Sequence, residues 1–154
     1  MKKIFFTLIF LIICLSCFSQ ECMSGDDLDK RKSLLLDSLF PSALHADSSI
    51  AVFFNREDEF ISAWNSFLLD FGIYLSEYDF KWSKTIKSFN KAYFNKNGTI
   101  NTFVYNFRNG DLTNEQAEHF QILLENFSKN YKLKIKENAK RNFSQCGPTK
   151  YRPN

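Results

Sequence analysis

The stretch that decides the fold runs from Thr85 to Phe107. It reads Thr85-Ile86-Lys87-Ser88-Phe89-Asn90-Lys91-Ala92-Tyr93-Phe94, then Asn95-Lys96-Asn97-Gly98, then Thr99-Ile100-Asn101-Thr102-Phe103-Val104-Tyr105-Asn106-Phe107. Two runs rich in aromatic and β-branched residues flank four turn formers, the pattern of a β-hairpin. Asn95 can hydrogen-bond forward into the turn, and Gly98 can take positive φ without a Cβ clash. The second run alternates, with Phe103, Tyr105 and Phe107 on one face and Thr102, Val104 and Asn106 on the other. A face this aromatic needs a cover, and an amphipathic helix lies on either side in sequence.

Upstream, Asn55 stands as a cap, and Glu57, Asp58 and Glu59 complement the positive end of a helix dipole. Phe60, Trp64, Phe67, Leu68, Phe71 and Leu75 follow at helical spacing. Such a stripe is core far more often than it is a cofactor platform, because large aromatics dominate buried area. Downstream, Thr113 and Gln116 form a capping box. Ala117, Phe120, Leu123, Leu124 and Phe127 then line one helical face. Tyr131-Lys132-Leu133-Lys134-Ile135-Lys136 alternates apolar and basic residues, which predicts a half-buried strand whose lysines protect a sheet edge.

Nearer the amino terminus, Leu28, Leu35, Leu36 and Leu39 share a helical face that Pro41 ends. Ile50 to Phe54 reads as a short buried strand. Residues 137–154 carry Pro148 and Pro153 and read as an irregular tail. The expected fold class is α+β, a small antiparallel sheet built on the central hairpin and packed by two amphipathic helices. Residues 20–54 form an amino-terminal helix and lead-in strand, and residues 55–136 the core domain.

Residues 1–19 have the form of an export signal, with Lys2 and Lys3 ahead of an apolar run from Ile4 to Ile13 and small Cys17 and Ser19 before Gln20. That run is shorter than the roughly 20 residues of a stable transmembrane span. The expected location is periplasmic or extracellular, with lipid anchoring through Cys17 as the alternative. The remaining 135 residues carry 18 bases and 17 acids, which excludes a strongly basic nucleic-acid binder. Charge is uneven: residues 20–79 hold 12 acids and 4 bases, residues 129–154 hold 8 bases and 1 acid. Either the two ends neutralise each other in the fold, or a basic patch faces an anionic partner.

Without the signal, Cys22 and Cys146 remain. In an oxidising compartment an even pair predicts a disulfide, which in the chain-entropy model would stabilise by about 4–5 kcal/mol. His45 and His119 stand without a His-x-x-x-His or Cys-x-x-Cys partner, so neither a metal site nor a cofactor is expected. Cys146 with His119 is the one conceivable Cys–His pair. No catalytic residue is assigned, and the chain reads as a non-enzymatic binding module.

From Asn55 onward the order is helix, strand, Lys96-Asn97-Gly98-Thr99-Ile100, strand, Thr113-capped helix, Lys-bearing strand. This form over residues 55–136 resembles the carboxy-terminal domain of TonB-like periplasmic proteins. The resemblance implies a sheet edge that pairs with a peptide of an envelope protein, at the position of Tyr131, Lys132, Leu133, Lys134, Ile135 and Lys136. It departs from that family in lacking a Pro-rich spacer and a retained anchor. The alternative is a pocket for a small apolar or carbohydrate ligand, lined by Trp64, Trp82, Tyr93 and Tyr105.

Overall fold

The computed structural model describes residues 20–108 and 111–153. The expected export segment and its Cys17 lie outside them. The hairpin forms as its sequence dictates: β2 (Ile86–Phe94) and β3 (Ile100–Phe107) pair antiparallel, Ser88 opposite Phe107 and Ala92 opposite Phe103. Gly98 takes φ 87° at the turn. A Cβ there would lie 3.1 Å from the Leu133 carbonyl oxygen, so the position demands glycine twice over.

Two further strands complete the sheet. A short β1 (Glu21–Ser24) runs parallel to β3, and β4 (Phe143–Tyr151) runs antiparallel to β2, giving the order β1-β3-β2-β4. The α+β class holds, and the sheet is mixed rather than antiparallel. The carboxy-terminal residues expected to be irregular are thus an edge strand. Pro148 fits there because its missing N–H falls on the unpaired side, which is where strands tolerate proline.

Alternation sends Phe103, Tyr105, Phe94 and Phe143 to the inner face, beneath which lie α2 (Glu57–Glu77) and α3 (Asn114–Asn130). The stripe on α2 is core: Phe60 and Phe67 are fully buried, Phe71 and Leu75 are 1% exposed, and Phe67 meets Phe94 and Phe103 at 5.9 and 6.0 Å. Each such side chain stabilises the fold by roughly 1.5–3 kcal/mol through burial. The start of α2 differs from expectation. Its cap is Arg56, while Asn55 takes φ 61° and donates its N–H to Glu57. The capping box of α3 forms with both of its hydrogen bonds.

On the outer face, α1 (Lys30–Leu39) lays Leu36 against Tyr93 and Val104, with Phe40 just beyond its end. Tyr93 donates to Asp37 at 2.8 Å, and Lys91 pairs with the same carboxylate. Of the leucines expected inward, Leu35 and Leu39 are instead mostly exposed, because α1 covers one end of the sheet and presents only a narrow stripe. Ile50 to Phe54 is a turn, not a strand: Val52 and Phe53 are buried, with Phe53 wedged between Phe60 and Phe143.

Residues 131–136 are not a strand of the sheet. After α3 the chain crosses the hairpin turn as a strap, with Leu133 N–H donating to the Gly98 carbonyl and Lys136 N–H to Glu59. The apolar alternation is real, since Leu133 is 1% exposed and Ile135 packs against the core. Its backbone partners are turn and side-chain groups, however, so no ladder forms. Tyr131 and Lys134 both reach Asp70, at 3.0 and 2.7 Å. The Lys134 ammonium, then the Tyr131 hydroxyl, hold that carboxyl below its usual range.

Candidate functional site

With the strap excluded as an edge, the sheet's own edges are β1 and β4. The first half of β4 is covered. Ser144 N–H donates to the Pro41 carbonyl at 2.9 Å, and its carbonyl accepts from Ala43 N–H at 2.8 Å. Those bonds show that Ser144 points its backbone away from β2. Strand alternation without a bulge gives Cys146, Pro148 and Lys150 the same outward direction. The Cys146 carbonyl accepts from the Gln145 side chain. Among the described residues, what remains without a partner along the second half is the Pro148 carbonyl and both backbone groups of Lys150, a three-point edge.

Beside this open half runs a groove of about 440 Å³ between β4 and α2. Its floor holds Leu68, Trp82 and Tyr151, and the Trp82 and Tyr151 rings stack 4.4 Å apart. Leu68, Gly72 and Ser76 form one ridge of α2 at four-residue spacing, and exposed Leu69 and Ile73 form the next. Among the described residues, nothing lies within 4 Å of where a Cβ on Gly72 would sit. A mid-helix glycine costs about 1 kcal/mol relative to alanine, and here it leaves the groove open. Lys150 and Arg152 border the groove, and neither makes an ion pair among the described residues.

The edge is held in place by a buried polar network. Asn90, fully buried on β2, donates to Thr149 Oγ1 at 2.9 Å and Tyr151 OH at 3.4 Å, and accepts from Ser88 at 2.7 Å. Burial raises the Tyr151 phenol to about 12, opposed by the Asn90 hydrogen bond.

The four aromatics expected to line one pocket are not brought together. Trp64 packs on Phe67 and Phe94, Tyr105 on Phe107 and Phe120, and Trp82 borders the β4 groove. Tyr93 lies on the opposite face of the sheet, where Phe40 meets its ring edge-on at 5.6 Å. The expected disulfide is not formed either. Cys22 on β1 and Cys146 on β4 occupy opposite edges, separated by β3 and β2. Three strand spacings are roughly 14 Å, twice the roughly 7 Å that a disulfide allows between Cα atoms. Cys22 is buried, donates to Ser128 Oγ, and is pushed up to about 11 by that burial. Cys146 is exposed on the outer face.

His119 lies 5.5 Å from the Phe80 ring beneath the inner face, so it and Cys146 occupy opposite sides of the sheet. His45 accepts the Asp47 N–H in a loop. Among the described residues no group of His, Cys, Asp and Glu could hold a metal ion, and no helix is long and apolar enough to cross a membrane. Of the two basic-tail expectations, neutralisation accounts for Lys134 with Asp70 and leaves Lys150 and Arg152 without an ion pair among the described residues.

The sequence did not single out Gly72, Leu69, Ile73, Tyr151 or Lys150. The usable signal was β-forming Phe143, Thr149 and Tyr151 around Pro148, which reads as an edge strand. Comparison with protein-family models, curated proteins and solved structures finds no match to this chain.

Proposed function

We propose that this protein is a non-enzymatic binding module of the cell envelope that recognises an extended protein segment by adding it as a strand to the open half of β4. The observation that carries this reading is the coincidence of a backbone edge at Pro148–Lys150, unpaired among the described residues, with an apolar groove alongside it. Strand addition uses these two parts: main-chain hydrogen bonds give affinity, and a flanking groove takes alternate side chains. The covered first half of β4 fixes where such a segment stops.

The likeness to TonB-type domains belongs to the same proposal. Four of the elements on which it was drawn are present, α2, β2, β3 and α3, whereas the strand expected at 131–136 does not form and the last strand lies at 143–151. Action outside the cytoplasm rests on the signal-like residues 1–19.

Lys150→Pro tests the reading. The substitution deletes the outward N–H while leaving the ladder to β2 intact, as Pro148 already does two residues earlier. A peptide of alternating Val and Thr, titrated against the protein, should change Trp82 fluorescence in the parent and leave it unmoved in Lys150→Pro at equal thermal stability. Equal binding by both proteins would overturn strand addition at this edge.

A further inference from the structure

The strand register also says which segment the edge prefers. On the outer face, Lys87 is registered directly with Lys150. Arg108 follows Phe107, which is registered with Ser88, so Arg108 continues the row on the other side of Lys87. Arg108, just past the end of β3, thus extends the row of Lys87 and Lys150, and all three are exposed with none in an ion pair among the described residues. Like charges directly opposite on neighbouring strands destabilise a sheet. Asp26 lines the same surface hollow as Lys87 and Arg108. The Lys150 end, at the open edge, has no carboxylate in its row among the described residues.

A segment that adds to β4 extends every row by one residue. In the row of Lys150 the new side chain comes within about 5 Å, Cβ to Cβ, of that lysine. Residues of the other parity, beside Thr149 and Tyr151, point instead to the inner side, where the groove presents Leu69 and Ile73. The two faces of the added strand therefore meet opposite chemistries. A second copy of β4 is a poor occupant, because it would bring Lys150 and Pro148, a cation and a missing donor, to the same edge.

Building on the strand-addition reading, we propose that the occupant is an acidic amphipathic strand of a partner protein. Its apolar residues alternate toward α2 with carboxylates toward the Arg108–Lys87–Lys150 row. The carboxylate closes the like-charge row, and the apolar side chain fills the space above Gly72.

The test compares three synthetic peptides, alternating Val-Glu, Val-Thr and Val-Lys, against the protein, Lys150→Pro and the double variant Lys87→Gln/Lys150→Gln. The glutamate peptide should bind about fivefold more tightly than the threonine peptide, and the lysine peptide about fivefold more weakly, from the span of cross-strand charge pairs. The double variant should lose this ranking but keep binding the threonine peptide. Equal affinities that Lys150→Pro abolishes would overturn the charge preference and leave strand addition standing. Glutamate-peptide binding that survives Lys150→Pro would mean ion pairing without strand addition and would overturn both. Binding of none of the three would likewise overturn both.

Discussion

Replacing Asn90 by alanine should loosen the candidate site from beneath. Asn90 is fully buried and forms hydrogen bonds to Ser88, Thr149 and Tyr151, with the Tyr151 bond the longest at 3.4 Å. Truncation removes two short bonds, each worth about 1 kcal/mol net. It also strands the Ser88 and Tyr151 hydroxyls, 3% and 7% exposed, away from water. One such buried orphan costs about 1–3 kcal/mol, and Thr149 is half-buried, so its hydroxyl can turn to solvent. The expected loss is therefore at least about 3 kcal/mol by urea unfolding, or about 10 °C or more in Tm for a domain of this size. The loss should be local as well as global, since two of the three partners sit on β4. Amide exchange at Gln145, Thr149 and Tyr151 should accelerate more than exchange along β3. A loss below about 1 kcal/mol, or exchange that rises equally across the sheet, would refute the view that this network fastens the edge strand.

Four further outcomes follow from the same geometry. Leu133→Pro should unfold or destabilise the protein by about 3 kcal/mol or more, because the N–H it deletes bonds to the Gly98 carbonyl at 2.9 Å and the side chain is core; circular dichroism and urea unfolding measure it. Gly72→Leu should raise Tm by about 2–3 °C through helix propensity while abolishing peptide binding, since the new side chain meets open space in the groove. In a thiol-labelling time course, exposed Cys146 should react at once and buried Cys22 only on unfolding, with no disulfide to reduce first. Stability should hold up to about pH 9 and fall between there and about 12, because burial raises the Cys22 thiol from 9.0 to about 11 and the Tyr151 and Tyr105 phenols from the ordinary 10 to about 12. A group raised in the folded state keeps its contribution below the unfolded value and loses it as pH climbs through the folded one, which thermal melts across that range would record.

Much of the framework could be read from residues whose local chemistry and tertiary role agree. The Asn-Gly hairpin, the Thr113–Gln116 box and the aromatic stripe of α2 each specify locally what the fold then uses. Errors arose where one pattern serves two structures. The alternation of Leu133 and Ile135 with lysines arises from any extended segment with one side against the core, and strand pairing needs backbone partners that no side-chain pattern encodes. Conversely, Gly147 and Pro148 read as loop formers, yet Gly147 sits opposite Asn90 and Pro148 turns its missing donor to the free edge. Cys22 and Cys146 were equally ambiguous, because topology alone puts them on opposite edges. The candidate site was illegible for a related reason: it joins Gly72 on a helix to Lys150 on a strand, 78 residues apart in the chain.

Amide hydrogen exchange at Lys150 tests the central claim most directly. In the free protein, Thr149 and Tyr151 face β2 and should be protected, whereas the outward Lys150 N–H should exchange rapidly. Saturating Val-Glu peptide should protect Lys150 and leave Thr149 and Tyr151 as they were. A Lys150 amide that still exchanges rapidly in the saturated complex would contradict strand addition at β4.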